Sequence, residues 1–254
     1  MMALSMTRGT PETGTLPMNS SFPVPARMII TIDGPAGTGK TSVAHELAAR
    51  LGLDSLDTGA MYRAIALVSI EKKIDPEDAD QIAQAASAST LDFDWSQAPP
   101  QLLLDGRVLG DRLREDDVDE RVSIVAGNVR VREELVKAQR AIAASHPRLV
   151  TEGRDQGSVV FPDADMRFYL DARPVVRAER RVDQLRASGQ MADLKEVLHS
   201  IEARDRRDET RHDSPLQIPE GAIMIDTSDM DLEEVVDQLE AAVRTRTTGS
   251  ESGT

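Results

Sequence analysis

Residues Gly34-Pro35-Ala36-Gly37-Thr38-Gly39-Lys40-Thr41 satisfy the spacing G-x-x-x-x-G-K-[ST] in full. Each fixed position has a chemical reason. The glycines let backbone N–H groups curl around a phosphate, and the helix that follows adds the positive end of its dipole. Lys40 reaches the β- and γ-oxygens of a nucleoside triphosphate, and Thr41 offers a hydroxyl to Mg²⁺. The whole loop, Gly34 to Thr41, is therefore the expected ATP-phosphate site. It does not choose between kinase, GTPase and ATPase. The only asparagines are Asn19 and Asn128, neither followed by Lys, and no D-x-x-G occurs. A guanine-reading switch protein is excluded on those grounds.

A phosphoryl-transfer site must neutralise charge on the donor, the acceptor and the migrating group, and fork-shaped arginines suit that task. Arg204, Arg207, Asp208 and Arg211 fall at i, i+3, i+4 and i+7, one face of a helix that runs that far. They make an anion clamp in which Asp208 orients an arginine or binds a sugar hydroxyl. An ordinary solvated charge run is the bland alternative. Arg177, Arg180 and Arg181 form a similar cluster just upstream, in the region where P-loop kinases place a lid. Arg154-Asp155 follows an apolar strand, at the sheet edge where α/β proteins bind ligands. Arg63 follows the turn Asp57-Thr58-Gly59. Glu152, beside the end of the same strand, is a candidate to hold a metal-bound water. His45, His146, His199 and His212 have no metal or triad partner in the pattern and are read as surface residues.

The elements that must position these residues alternate between strand and helix. Met28–Ile32 is a short β-branched run closed by Gly34-Pro35, a buried parallel strand. A helix follows over Lys40–Leu51, then a strand at Leu53–Leu56 and helices near Ala60–Lys72 and Glu77–Ala88. Leu91–Trp95 and Gln101–Asp105, separated by Pro99-Pro100, break the rhythm as a small antiparallel insert. Helices are expected over Glu115–Gly127, Arg130–Ala144, Pro174–Ala187, Asp193–Asp208 and Leu232–Val243. The remaining strands are Leu149–Thr151, Met166–Leu170 and Ile223–Ile225. This is a three-layer α/β fold with a mainly parallel sheet flanked by helices.

Composition sets the outer limits. With 254 residues, 40% of them hydrophobic, the chain can bury one substantial core. A net charge of −14 argues against a nucleic-acid or anionic-membrane surface, so any positive charge must be local. The absence of cysteine excludes disulfides and thiolate-bound metals and suits a cytoplasmic setting. Residues 1–26, with Pro11, Pro17, Pro23 and Pro25, read as a disordered extension or a misplaced start. Residues 245–254 read as a disordered tail, and 27–244 as one domain, with an insert at about 91–110 and a lid region at about 177–211.

The blocks ITIDGPAGTGKTS, LDTGAMYRA, EGRDQGSVVFPDADMRFYLDA and EARDRRDETR occur in order and together resemble bacterial cytidylate kinase over about Met28 to Val243. The second and third blocks discriminate, since many kinases share the first. The resemblance implies a P-loop kinase fold with a small antiparallel nucleotide-binding insert, and transfer of the ATP γ-phosphoryl, with Mg²⁺, to CMP or dCMP. It implies that Thr58 and Arg63 face the acceptor nucleotide. Ser123, Arg132 and Asp155 would read cytosine, and Arg154 would hold the acceptor phosphate. Arg204, Asp208 and Arg211 would surround its sugar and phosphate, with Arg180 and Arg181 as lid cations on the ATP side. Lys40, Arg154 and Arg181 are the expected catalytic group. A carboxylate, a hydroxyl and an arginine are also the mixture that separates the cytosine amino group and O2/N3 from uracil. Gln156 and Ser158 depart from the family pattern beside Asp155. The expected partners are ATP and CMP or dCMP alone, with no nucleic acid and no membrane, on a monomer. The rivals are a kinase for another acceptor and a non-catalytic nucleotide-binding module.

Overall fold

The apolar run that opens the domain forms β1 (Met28–Asp33), buried at every position. In the computed structural model, which describes residues 25–250 apart from residue 188, β1 is the middle of a five-stranded sheet. The strand order is β2 (Asp54–Asp57), β6 (Arg148–Gly153), β1, β7 (Met166–Asp171), β8 (Ile223–Asp226). Every neighbouring pair is parallel. Alternation along β1 sorts its side chains between two cores. Met28, Ile30 and Ile32 join the cluster built with α1 (Lys40–Leu51) and α8 (Leu232–Ser250), whereas Ile29 joins that of α2 (Thr58–Glu71), α3 (Ala79–Ser87), α4 (Asp116–Gly127) and α5 (Val129–Ser145). Two helical layers thus cover one sheet, because strands buried on both faces need cover on both.

The insert is a three-stranded antiparallel sheet, β3 (Leu91–Asp94), β4 (Gln101–Leu104) and β5 (Arg107–Val108). Two strands are legible in the sequence. The third is only two residues long and exposed, so no pattern marks it. Beyond β7, α6 (Pro174–Ala187) packs beside α7 (Leu194–Thr210).

One boundary is corrected by the structure. The closing helix does not stop at Val243 but continues to Ser250, so of the tail expected at 245–254 residues 245–250 are helical, and residues 251–254 lie outside the described residues. The polar residues there bond back onto their own helix: Thr245 Oγ1 donates to the Ala241 carbonyl at 2.8 Å and Thr247 Oγ1 to that of Val243 at 3.0 Å. The expected disorder of residues 1–26 falls outside the described residues, except for Pro25 and Ala26, which are exposed and irregular.

Candidate active site

The end of β1 organises the site. Asp33 is fully buried, and its carboxylate accepts from the backbone N–H of Gln156 at 2.8 Å and of Gly157 at 2.7 Å. It therefore pins the turn Gln156–Val160 directly beyond Arg154-Asp155. Burial pushes its pKa up to about 6 against the pull of those two N–H groups. Gly157 has no alternative, since a Cβ there would lie 2.8 Å from Thr31 Oγ1 and 3.0 Å from Pro219. Sequence reading passed over Asp33; a carboxylate closing an apolar strand was the available signal.

The phosphate loop follows, with Gly37 and Gly39 in left-handed conformations (φ 83° and 87°) that only glycine adopts freely. Lys40 is buried; its ammonium donates to the Pro35 carbonyl at 2.7 Å and lies 3.3 Å from Thr38 Oγ1. Burial, reinforced by Arg154 nearby, lowers its pKa to about 7. Thr41 Oγ1 donates to Glu152 Oε1 at 2.9 Å. That commits the hydroxyl's proton and leaves its oxygen lone pairs for a cation. Burial, with Asp57 close by, raises Glu152 to about 7. Among the described residues no cluster of three or more potential metal ligands occurs. A hydroxyl and a carboxylate suit Mg²⁺ that arrives on nucleotide phosphates and keeps its waters.

Arg177 has a different place from the one its spacing suggests. Its side chain is buried inside α6 and not presented to a ligand. It donates to the Ala36 carbonyl at 3.0 Å, the Ala172 carbonyl at 2.9 Å and Asp205 at 2.5 Å, bracing the phosphate loop against α7. A Cβ on Gly37 would come within 3.1 Å of Arg177 Cβ. Arg180 turns to the segment after β8, donating to the Thr227 carbonyl at 2.5 Å and to Met230 at 3.3 Å. Only Arg181 joins the other arginines. The three arginines of the expected lid cluster thus go to three different places.

On α7, Arg204 and Asp208 face inward while Arg207 is exposed, bonded only to its own helix at Ala203. The helix ends at Thr210, so Arg211 sits in an extended conformation, fixed by a 2.5 Å bond to the Ser214 carbonyl. Asp208 gathers two neighbours, with Arg154 Nε at 3.1 Å and Arg211 at 3.9 Å. Burial opposes the charge on Arg154, but Asp208 and Glu152 outweigh it and raise its pKa. Burial beside Arg154 lowers Arg204 to about 10. Arg63, from α2, donates to Asp119 at 2.5 Å and to the Leu113 carbonyl at 3.1 Å.

Arg132, on α5, is buried against Asp155 in a very short ion pair. It also donates to the Ala126 carbonyl at 3.3 Å, with its guanidinium 5.6 Å from the Tyr62 ring centroid. Ser123 lies on α4 one turn before that carbonyl, partly buried. Arg132 Nε and Arg211 Nη2 are buried donors with no partner among the described residues. Such donors are costly unless something accepts from them, and a bound base and phosphate would. Behind Asp155, Gln156 accepts from Thr151 Oγ1 at 2.9 Å and donates to Gln139 at 3.2 Å. The polar residue at this departure from the family pattern is thus satisfied by a second polar residue that the sequence did not single out.

Thr58 anchors the start of its helix, and one further expectation, for the histidines, changes. Thr58 is 2% exposed, and its hydroxyl donates to the Glu152 carbonyl at 2.7 Å, so it ties the start of α2 to β6. His45 and His146 are part-buried and partnered, not free surface residues. His45 is part-buried and shares a 2.7 Å hydrogen bond with Ser55, and burial lowers its pKa. His146 stacks on Trp95 at 3.9 Å and meets Asp54 at 2.8 Å. His199 and His212 are exposed.

A phosphate loop at the end of a central parallel strand, facing arginines from separate helices, defines a P-loop phosphotransferase of the kinase type. The cytidylate kinase family model matches residues 30–245. Curated relatives named cytidylate kinase include one from Caldanaerobacter subterraneus subsp. tengcongensis, 44% identical over 87% of this chain and 96% of its own. Another, from Rhodococcus opacus, is 43% identical over 86% and 96%. The chain belongs to the cytidylate kinase family. Among solved structures, a gluconokinase from Sinorhizobium meliloti 1021 aligns with 90% of this chain and 98% of its own, at 15% identity and a TM-score of 0.47; the assignment rests on the sequence relatives.

Proposed function

We propose that this member of the family moves the γ-phosphoryl of ATP onto CMP or dCMP by direct in-line transfer, through the following residues. Gly34–Thr41 wrap the ATP phosphates, and Lys40 with Arg181 neutralises the migrating group. Arg63, Arg154 and Arg211 hold the acceptor phosphate as nucleophile, and Arg204 and Asp208 complete that wall. Arg180, on α6 and held against the segment after β8, lines the ATP side. No general base is required, because a phosphate monoester is already anionic near neutral pH. Mg²⁺, when bound with ATP, would neutralise charge on the β- and γ-phosphates; Thr41, backed by Glu152, would hold it. Asp155 accepts from the cytosine amino group, while Arg132 and Ser123 donate to its ring acceptors.

The observation that carries this reading is the convergence of arginines from α2, the turn just after β6 and α7 on the phosphate loop. Lys40 feels both Arg154 and Arg204, and Arg204 feels Arg63. A cation cluster of that density without an anion to bind is unfavourable, so the site is built for two phosphorylated ligands. The charge of −14 speaks against nucleic-acid partners. Among the described residues no helix is long and apolar enough to cross a membrane. A cytoplasmic setting suits a cysteine-free chain that consumes ATP.

Arg63→Ala separates the acceptor role from simple damage to the fold. Losing charge-assisted hydrogen bonds to a phosphate raises the KM for CMP about ten- to a hundredfold, with the KM for ATP nearly unchanged. Equal loss of both in steady-state kinetics would contradict an acceptor role.

A further inference from the structure

Asp119 lies on α4 within a run of acids, Glu115 to Glu120, that reads as a solvated surface. Its carboxylate instead receives arginines from three other elements. Arg63 of α2 is 2.5 Å from Oδ1, Arg181 of α6 is 2.9 Å from Oδ2, and Arg204 of α7 is 3.5 Å from Oδ1. Three guanidinium groups thus share one carboxylate and two oxygens, an excess of two positive charges. The third contact sits at the outer limit of a hydrogen bond. A phosphate, with three outer oxygens and up to two charges, satisfies three such forks better than a carboxylate does. Asp119 is also only partly enclosed, with 24% of its side chain exposed, so it can give up its partners to a ligand and turn to water.

We propose that Asp119 is a positioning residue that stands in for a substrate phosphate, gathering Arg63, Arg181 and Arg204 in the free enzyme and yielding them when the phosphorylated acceptor enters. This rests on the reading of Arg63 and Arg204 as acceptor residues and Arg181 as a lid residue. Two consequences follow from charge alone. The arginines are assembled before substrate arrives, because their mutual repulsion is screened by Asp119. The same carboxylate competes with the acceptor, so it weakens acceptor binding. Because Arg63 and Arg181 share it, filling the acceptor site releases the lid arginine for the migrating phosphoryl.

The test compares Asp119→Asn and Asp119→Glu with the parent enzyme. Without the competing charge, Asp119→Asn lowers the KM for CMP about fivefold, and inorganic pyrophosphate inhibits more tightly by a similar factor. The kcat does not rise. Asp119→Glu, which keeps the carboxylate, returns both values toward those of the parent. Asp119→Ser repeats the measurement if the asparagine variant is poorly folded, as judged by its Tm. A KM for CMP that is unchanged or raised in both neutral variants overturns the proposal and makes Asp119 a fixed brace. Arg63→Ala in parallel keeps the two readings apart. If it leaves the KM for CMP unchanged, the acceptor assignment fails whatever Asp119 does. If it raises that KM while Asp119→Asn does not lower it, only the inference about Asp119 fails.

Discussion

Lys40→Met lowers kcat roughly 10²- to 10³-fold while the KM for CMP changes little. The buried ammonium is the cation of the phosphate loop, and removing one preorganised charge from a phosphoryl-transfer site costs on that order. A proton-linked signature accompanies the loss. In the free enzyme burial lowers Lys40 to about 7, so at pH 8 most molecules hold it neutral. An incoming ATP polyanion favours the charged form and raises that pKa again. ATP binding at pH 8 therefore takes up protons. Glu152, raised to about 7 by burial, shifts in the same direction when an anion approaches. Calorimetry of metal-free ATP binding in buffers of different ionisation enthalpy reads the uptake. Lys40→Met takes up about one proton fewer than the parent. An equal uptake in both proteins would remove Lys40 from the phosphate site.

Asp155→Ala has two expected effects, one on stability and one on selectivity. It strips the partner from Arg132, which is 4% exposed and keeps only the Ala126 carbonyl and the Tyr62 ring as company. An uncompensated buried charge costs about 3 kcal/mol, a fall in Tm of about 10 °C for a domain of this size. The preference for CMP over UMP falls roughly ten- to a hundredfold, because the carboxylate that accepts from the cytosine amino group is gone. Loss of stability with intact selectivity would make the pair structural only.

How far the sequence spoke depended on distance along the chain. The phosphate loop, β1, α1 and α6 were legible because each is set by neighbours: an apolar run, a glycine turn, a 3.6-residue stripe, a proline at the first helical position. The arginines were legible as types and not as partners. A helical wheel placed Arg204, Arg207, Asp208 and Arg211 on one face, yet Arg207 is exposed, and Asp205, a residue the spacing passed over, is buried against Arg177. What decides between them is which residue meets another element, and Arg177 lies 28 positions from Asp205 and 141 from the carbonyl it braces. Asp119 was hidden for a second reason. Its neighbours Asp116 and Asp117 are exposed, so the run has the composition of a surface. Asp33 shows in the sequence only as a carboxylate closing an apolar strand; its partners are backbone N–H groups, which carry no sequence mark of their own.

The acceptor is a cytosine nucleotide, and a panel of monophosphates is its sharpest check. ADP formation is followed with ATP and Mg²⁺ at equal concentrations of CMP, dCMP, UMP and dTMP. The expected kcat/KM for CMP or dCMP exceeds that for UMP and dTMP by about a hundredfold. A higher kcat/KM with UMP or dTMP, or no ADP with any of the four, would contradict it.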